Sequence, residues 1–526
     1  MEGNLSTSGS MVGTCSVDST TGRGVLGATL LASGASFIMW SAVTVALPSI
    51  QQHFDTNVAG IQWVVNSHLL TLSALLLIGG SMGDRFGRKR VFQAGIVIFL
   101  TGAVLSGFAW SIGALIGFHA FQGVGSALMV PQSLAIINAC FREAERGRAI
   151  GIWAGISGGI AALGPWVGGL LVDTVGWPAV FWMTAPVVAV ALAVSTRFVP
   201  ENRDTEPGGL DWTGTALILT GLLGIAYGLI AGPVRGWSEP LVLTGLVGGI
   251  AAVAGFILVE KAKRRPLVPM DMFRNPLVRG ANALTLLLYL AFNGVLLFTV
   301  LNLQQVQGYS PTEAGLAVLP PIVIITLLAA PSGSLADRLG PRPQMVAGPL
   351  FVAVGAGLLI TGGPDADYLR HFLPGLAAIG LGMAVAIPPL TKSALSVRPG
   401  FSGSASGVNN AVSRIASLLA VALLGAVMVS AFGSSLRDII SASSLRPVGQ
   451  DKILAHYDKL GGIEIPEDFG KAAASEARGA IQASFIHGYR LVMLICVGLT
   501  CTGALISALT IRAKRPQDRH QTNPRT

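Results

Sequence analysis

The sequence predicts an all-α membrane protein with fourteen transmembrane helices, and two observations support this prediction. Charged residues make up only 12% of the 526 residues, against roughly 25% in soluble domains. Long apolar runs recur along the whole chain, and each has the length of about 20 residues that a helix needs to cross a bilayer. A soluble domain could not bury so many apolar runs of this length.

The predicted helices follow one another with mostly short connections. The fourteen apolar runs lie at residues 25–49, 62–82, 90–110, 112–138, 147–172, 177–197, 212–231, 240–259, 279–303, 313–334, 343–363, 371–391, 405–431 and 485–511. The exception among the connections is 432–484, which carries charges throughout and has no apolar stretch of spanning length. We therefore expect 432–484 to form a loop outside the bilayer, and the distribution of basic residues described next places it on the external side.

Basic residues are distributed unevenly between the two sets of connections. The connections after even-numbered helices and the C-terminal tail hold most of them, namely Arg85, Arg88, Lys89, Arg90, Arg142, Arg146, Arg148, Arg197, Arg203, Lys261, Lys263, Arg264, Arg265, Arg338, Arg342, Arg512, Lys514 and Arg515. The connections after odd-numbered helices hold few, with Arg235 and Arg370 isolated. Because Lys and Arg are retained on the cytoplasmic side, this pattern predicts a multi-pass protein of the inner or plasma membrane with both termini in the cytoplasm.

Several function classes receive no support from the sequence. The net charge of +9 fits basic connections in the cytoplasm, so it need not indicate a nucleic-acid partner. No phosphate-binding pattern GxxxxGK[ST] and no metal-ligand spacing of His and Cys occurs. We therefore expect no enzyme activity and no cofactor. The four cysteines, Cys15, Cys140, Cys496 and Cys501, show no paired spacing, and we expect them to be small buried residues.

A weak internal repeat predicts the domain organisation. GGSMGDRFGRKR (79–90) follows the second helix and SGSLADRLGPRP (332–343) follows the tenth, and both contain Gly-x-x-x-Asp-Arg-x-Gly. Repeats of this kind build alternating-access transporters. We expect a cytoplasmic tail (1–22), a six-helix bundle (23–200), an inserted helix pair (210–260), a second six-helix bundle (275–511) and a second cytoplasmic tail (512–526).

The first of these repeated turns predicts a conformational gate. Gly83 and Gly87 suit a tight connection between helices, and Asp84 can accept hydrogen bonds from Arg88 or from a helix N-terminus. Together with Arg85, these residues resemble the loop signature of the major facilitator superfamily. The resemblance implies a charge latch that holds the cytoplasmic face closed in one state. The alternative is a basic loop that only sets the topology.

The second turn and the fifth helix extend this resemblance. Asp337 and Arg338 match the signature, although prolines at 341 and 343 interrupt the basic run. The fifth helix looks like the Gly-Pro signature of antiporters in the superfamily, with residues Gly155, Gly159, Gly164, Pro165, Gly168 and Gly169. Its glycines would pack a neighbouring helix and its proline would bend the helix. The alternative is a packing face without a functional bias.

The resemblance covers nearly the whole chain. The segments WVVNSHLLTLSALLLIGG, FQGVGSALMVPQSLAII, LDWTGTALI, LQQVQGYSPTEAGLAVLP and SGVNNAVSRIASLLAVA look like the fourteen-helix drug:proton antiporter family. This implies a major facilitator fold of two six-helix bundles plus two inserted helices. It also implies multidrug-type efflux of small lipophilic or cationic compounds by alternating access, with protons as the exchanged ion. Such bundles can act as monomers in contact with membrane lipid.

The sequence departs from this family at its polar membrane positions. Met39 and Thr44 stand where the first helix of the family usually carries Asp and Asn. His119 replaces an Arg of the fourth helix, His68 replaces a Tyr of the second, and Ala231 replaces a Glu of the seventh. No Asp or Glu therefore lies deep inside a predicted span. These departures leave open a transporter without proton coupling, or with another coupling, and a non-transporting membrane sensor.

Few ionisable residues remain as candidates for proton binding. Histidine, with an unperturbed pKa of about 6.5, titrates in the physiological range. We therefore hypothesise that His119, with or without His68, is the protonation site; the alternative is that both are neutral residues that line the cavity. Lys392, near a helix end, is a further ionisable residue. Arg414 lies in the middle of a predicted helix, where it could attract an anionic group, repel a cation or serve only a structural role.

Further polar residues are predicted to line a cavity between the bundles. They are Gln122, Asn409, Asn410, Asn293 and Tyr289. Polar side chains inside membrane helices face the bundle interior or water because exposing them to lipid is costly. The sequence predicts a class of small amphipathic substrates but no particular compound.

Overall fold

The computed structural model describes residues 15–203, 209–263, 266, 268–397, 402–466 and 468–511. Most of the two predicted tails, including Arg512, Lys514 and Arg515, therefore lies outside the described residues, as do Arg264 and Arg265. Within the described residues the regular structure is helical, and the one isolated β-bridge joins Cys15 to Phe141.

Fourteen helices among the described residues are long and apolar enough to cross a membrane. They are α1 Thr20–His53, α2 Val58–Phe86, α3 Arg88–Gly107, α4 Ile112–Cys140, α5 Glu143–Thr174, α6 Pro178–Phe198, α7 Trp212–Arg235, α8 Pro240–Ala262, α9 Pro276–Gln305, α10 Pro311–Leu339, α11 Pro341–Leu359, α12 Tyr368–Ala394, α13 Ser404–Ser441 and α14 Lys471–Thr510. Short helices lie at Met270–Arg274, Pro447–Leu454 and Tyr457–Gly462. The predicted number of spans is confirmed.

Local chemistry sets where many of these helices begin and end. The side chains of Ser19, Asn57 and Ser111 each accept a hydrogen bond from the backbone N–H three residues further on, which satisfies a donor left free at a helix N-terminus. Gly87 and Gly340 end α2 and α10 with φ angles of 104° and 83°. Such angles are readily adopted only by glycine, so both copies of the repeated turn need their last glycine.

The connection predicted at 432–484 is shorter in the structure. Helix α13 continues to Ser441 and α14 already begins at Lys471, so only 442–470 joins them, with two short helices inside it. Hydropathy finds the part of a helix that lies in lipid. It misses the polar turns beyond the lipid, which keep the same backbone hydrogen bonds.

The helices form two bundles with equivalent packing. In the first bundle, α2 and α3 pack against α4, and α1 packs against α5 and α6. In the second bundle, α10 and α11 pack against α12, and α9 packs against α13 and α14. The pair α7 and α8 packs together, and α7 also contacts α2 and α13. The weak sequence repeat thus corresponds to a repeated set of helix contacts.

The two ends of the molecule differ in how the bundles meet. We call the end that carries Asp84 and Asp337 the Asp84 face, and the end that carries Asp55 and 442–470 the Asp55 face. Hydrogen bonds between the two bundles that join described residues all lie toward the Asp55 face. Their partners are Gln304 and Val45, Gln305 and Gln51, Gln51 and Lys459, Asn57 and Asp458, Asp55 and Lys459, Gln62 and Val421, and Thr312 and Asp173.

The expectation of four small buried cysteines holds for Cys15, Cys140 and Cys496 but not for Cys501, and it missed one disulfide. Cys15 forms a disulfide with Cys140, with the two Cα atoms 5.5 Å apart and 125 residues between them in sequence. Cys496 is free and buried, whereas Cys501 is free and exposed. Sequence spacing gave no sign of the pair because the fold brings the segment before α1 beside the end of α4, where the Cys15 N–H donates to the Cys140 carbonyl at 3.0 Å.

Candidate functional site

An inner cavity lies between the two bundles. Its volume is about 260 Å³, and it is bounded by α1, α2, α5, α9, α10 and α13. Most of its lining is apolar or aromatic and includes Phe37, Trp40, Val45, Phe292, Leu296, Leu297, Ile322 and Ile325. Its polar lining consists of Ser41, Thr44, Asn293 and Arg414. An apolar chamber with a few polar groups is the usual design of a site for a small organic molecule.

A larger vestibule connects this region to the Asp84 face. It has a volume of about 510 Å³ and is lined by α1, α2, α4, α5 and α13, down to Asp84 and Arg88. The vestibule and the inner cavity share two lining residues, Phe37 and Arg414. The guanidinium carbon of Arg414 lies 5.3 Å from the centre of the Phe37 ring, a cation–π distance. This Phe37–Arg414 pair therefore stands between the two spaces.

Arg414 is the one charged side chain that lines the inner cavity among the described residues. Its guanidinium makes no salt bridge within 4.0 Å and donates no hydrogen bond to the described residues. A cation away from bulk water is costly unless it is paired, and the electrons of one aromatic ring compensate only part of that cost. The predicted position of Arg414 at a cavity thus agrees with the geometry.

The other predicted cavity residues are divided between the cavity and the helix contacts. Asn293 lines the inner cavity, and its amide donates to the Ser417 hydroxyl at 3.0 Å and the Tyr289 carbonyl at 2.7 Å. Asn410 lines the vestibule. Asn409 instead donates to Asn282 at 3.2 Å and Thr285 at 2.9 Å, which ties α13 to α9. Neither Asn409 nor the Tyr289 side chain lines either space.

The two histidines and Gln122 lie inside the first bundle. His68 and His119 are only 1% and 2% exposed, and their rings stack with centres 4.6 Å apart. His119 Nδ1 is 2.8 Å from Gln122 Oε1, and His68 Nε2 is 3.4 Å from the Ser126 hydroxyl. None of these residues lines the inner cavity or the vestibule. The structure therefore brings the histidines together, but not in the lining of either space.

The first repeated turn has the contacts expected of a latch. Two nitrogens of Arg88 donate to Asp84 Oδ1 at 2.9 and 3.1 Å, and a third nitrogen lies 3.5 Å from the Ala135 carbonyl of α4. A Cβ at Gly83 would overlap Gln132, whose amide donates to the Gly79 carbonyl at 2.8 Å. The turn thus joins α2, α3 and α4. The Arg85 guanidinium instead lies over the Phe86 ring at 5.7 Å.

The second turn makes a different ion pair. Asp337 pairs with Lys392 of α12, and their side chains are 60% and 73% exposed. Lys392 is thus an exposed partner at the Asp84 face and lies outside the buried interior of the bundle. Arg338 makes no salt bridge to a described residue. The Gln344 amide donates to the Ser332 carbonyl at 2.8 Å, so the second turn is also held by a glutamine.

The Gly-Pro helix α5 packs tightly over one half of its length. Added Cβ atoms at Gly164 and Gly168 would overlap Ser41 and Ala42 of α1, and one at Gly169 would overlap Pro311 of α10. Gly155 and Gly159 have no such neighbour within 4 Å. The glycine signature therefore splits into a packed part toward the Asp55 face and an unpacked part toward the Asp84 face.

Pro165 explains why a serine of α1 contacts α5. Proline has no N–H, so the carbonyl four residues earlier, that of Ala161, has no helical partner. The Ser41 hydroxyl donates to this carbonyl at 2.9 Å. The bend at Pro165 is thus held by α1 at the wall of the inner cavity.

The sequence analysis missed the aromatic lining and one buried acid. Phe37, Trp40, Ser41 and Thr44 follow helical spacing on α1, and this spacing is the signal by which the aromatic lining could have been predicted. Glu260, one residue beyond the predicted eighth span, is the one acidic side chain that is fully buried among the described residues. It accepts from Lys263 at 3.0 Å and from the Val268 N–H at 2.9 Å, and it lines neither the inner cavity nor the vestibule.

Two repeated bundles around a cavity that opens on one face define a membrane transport protein. The Major Facilitator Superfamily matches residues 29–421, and the chain belongs to this superfamily. A tetracenomycin C resistance and export protein of Streptomyces glaucescens is 31% identical over 481 residues, which cover 91% of this chain and 89% of that protein. A puromycin resistance protein of Streptomyces alboniger, pur8, is 37% identical over 408 residues, which cover 76% of this chain and 80% of that protein.

Solved structures agree with the fold. A bacterial homologue of the human lysosomal transporter Spinster, in an inward-facing and unoccupied conformation, aligns with a TM-score of 0.64 at 19% identity, over 94% of this chain and 99% of that one. A D-xylose–proton symporter aligns with a TM-score of 0.55 at 15% identity, over 91% and 96%. The resemblance seen in the sequence is thereby confirmed at the level of family and fold.

Proposed function

We propose that this protein exports small lipophilic organic compounds from the cytoplasm by alternating access. The inner cavity carries the proposal: its walls are mostly apolar and aromatic, and it lies between two repeated bundles. Two relatives named for antibiotic resistance, one of them also for export, support efflux as the direction. We also propose that the Asp84 face and both termini lie in the cytoplasm, because the basic connections lie at this face.

The proposed transport cycle uses the repeated turns and α5 as moving contacts. In the described state the bundles meet toward the Asp55 face, so a compound would enter from the cytoplasm through the vestibule. Export then requires the Asp84 face to close and the Asp55 face to open. The turns with Asp84–Arg88 and Asp337–Lys392 would hold helix ends together during this rocking motion, and the glycines of α5 would provide close packing at each end in turn.

Proton antiport is the proposed energy source, with His119 and His68 as the candidate binding groups. The alternative is an uncoupled facilitator or metabolite exporter. One observation favours this alternative: both histidines lie inside the first bundle and not along the cavity. A second alternative, a non-transporting membrane sensor, predicts no flux of any compound.

Flux through the purified protein in liposomes would test the proposal. We expect at least one lipophilic dye from a panel that includes rhodamine 123 and fluorescein to cross faster than in protein-free liposomes, and to cross faster still with an imposed pH gradient. His119→Gln with His68→Gln should remove the response to the gradient, whereas His53→Gln at the exposed end of α1 should keep it. An unchanged response in the double variant would reject the histidines, and the absence of any dye flux would favour the sensor.

A further inference from the structure

We propose that the substrate is an organic anion with an aromatic body, whose acidic group binds Arg414. This inference rests on the proposed export function and specifies its substrate class. Carboxylates and ionised phenols share the required chemistry, because the planar guanidinium presents several donors to an anionic oxygen.

The charge balance of the path supports an anion. Arg414 lines both the inner cavity and the vestibule, and no acidic side chain lines the inner cavity among the described residues. In the vestibule Asp84 is already paired with Arg88 at 2.9 Å. Among the described residues that line the route, the unpaired charge is therefore positive, and an incoming anion would supply the missing partner. An incoming cation would be repelled by Arg414.

The wall formed by α1 carries no negative charge. Its residues that line the two spaces are uncharged, namely Phe37, Trp40, Ser41, Thr44 and Val45. A cation would thus find no carboxylate on this wall. The proposal follows from both facts together: among the described residues, the positive charge is present in the cavity lining, and the negative charge that would favour a cation is absent from it.

The walls around Arg414 suit an aromatic body. Phe37, Trp40 and Phe292 line the inner cavity, and the Phe37 ring already contacts the guanidinium. The indole N–H of Trp40 is buried without an acceptor among the described residues, so a second donor lies on the same wall. Flat aromatic molecules stack on such rings, and the acidic group of a bound molecule would replace the Phe37 ring as the main partner of the cation.

Binding of two dyes with one core would test the inference. Fluorescein and rhodamine 123 share the xanthene ring system, but fluorescein is an anion and rhodamine 123 a cation at neutral pH. With purified protein in detergent, we expect dye anisotropy to show tighter binding of fluorescein than of rhodamine 123. Arg414→Gln should weaken fluorescein binding at least tenfold and should not weaken rhodamine 123 binding. Arg414→Lys should keep part of the preference for the anion.

Arg437→Gln is the matched control, because it removes the same charge from an exposed side chain outside both spaces. It should bind fluorescein like the wild type. The inference is overturned if wild-type protein binds no fluorescein or prefers rhodamine 123, a result that does not depend on the folding of any variant. It is also overturned if Arg414→Gln binds fluorescein normally. Fluorescein binding without flux of any dye would instead reject the export function: Arg414 would then bind an anion that is a ligand and not a transported substrate.

Discussion

The two faces of the molecule are built from the same kind of residues but are joined differently. At the Asp55 face the bundles are linked by amide and charged side chains, and Gly169 of α5 lies directly against Pro311 of α10. At the Asp84 face the equivalent glycines of α5, Gly155 and Gly159, have no neighbour within 4 Å. One helix thus shows both a closed and an open end. We propose that the glycines at each end serve a different state of the proposed transport cycle.

The largest effect is expected from a side chain placed in the closed end. A Cβ at Gly315 of α10 would overlap the Pro165 carbonyl of α5, and overpacking of this kind costs about 1–3 kcal/mol. Gly315→Val should therefore favour opening of the Asp55 face by about tenfold. The opening would be measured in a Cys501→Ser background as the rate at which Thr44→Cys, a cavity position, is labelled. The label is an impermeant maleimide applied from the Asp55 side.

Gly159→Val is the control for that experiment, since its added atoms would meet no neighbour in the described state. In this variant the labelling rate should be equal to or lower than that of the protein without the Gly159 substitution. Equal acceleration by both variants would contradict the distinction between the two ends.

The next effect concerns the open end in the other state. If Gly155 and Gly159 pack only when the Asp84 face closes, the double variant Gly155→Leu/Gly159→Leu should reduce dye flux several-fold. Its melting temperature in detergent should stay within about 4 °C of the wild-type value, because the described state has room for both side chains. Normal flux would show that the unpacked glycines have no role in closure.

A smaller effect is expected from the two ion pairs of the Asp84 face. Arg88 is 22% exposed and contacts both Asp84 and α4, whereas Asp337 and Lys392 are largely exposed. Exposed pairs contribute about 0.2–1 kcal/mol, so Asp337→Asn should hardly change stability or flux. Asp84→Asn should lower flux more. Flux and melting temperature, measured in parallel on the two variants, would check that Asp84→Asn has the larger effect. A larger effect of Asp337→Asn would argue against a latch at the first turn.

The smallest effect is a pH dependence of the Asp55 face. The hydrogen bond and the charge of Lys459 lower the pKa of Asp55 in the closed state. Because the pKa is lowered in the closed state, the contact between Asp55 and Lys459 favours closure at pH values above about 4, the ordinary pKa of an aspartate. This stabilisation of the closed state is lost as the pH falls below that value. Labelling of Thr44→Cys from the Asp55 side should therefore rise at low pH, after correction for the reagent. Lys459→Gln should remove this rise in the labelling rate. A rise that persists in the variant would show that other groups cause it.

Much of the fold could be predicted because lipid imposes a simple rule. Each span needs about 20 apolar residues, and all fourteen predicted runs correspond to helices in the structure. The ends were less predictable, as α13 and α14 show, because polar turns beyond the bilayer carry no hydropathy signal. The paired cysteines Cys15 and Cys140 were missed since residues far apart in sequence meet only in the folded chain.

The candidate site was predicted in part. The isolated cation Arg414 and the amides Asn293 and Asn410 do line the cavity or the vestibule, whereas Asn409, His68 and His119 face other helices of their own bundle. A polar residue in a membrane helix must avoid lipid, but a helix contact satisfies that requirement as well as a cavity does. Sequence alone cannot separate the two.

The sequence by itself determined that the chain crosses a membrane, how often it does so, and which of its turns repeat, because hydrophobic length and tight-turn chemistry are local properties. Tertiary structure decided which polar side chains reach the cavity, which glycines are packed, and that Arg414 has no acidic partner among the described residues that line the cavity. Those outcomes depend on the rotation of each helix about its axis and on the state of the two bundles, and both are set by contacts between distant segments.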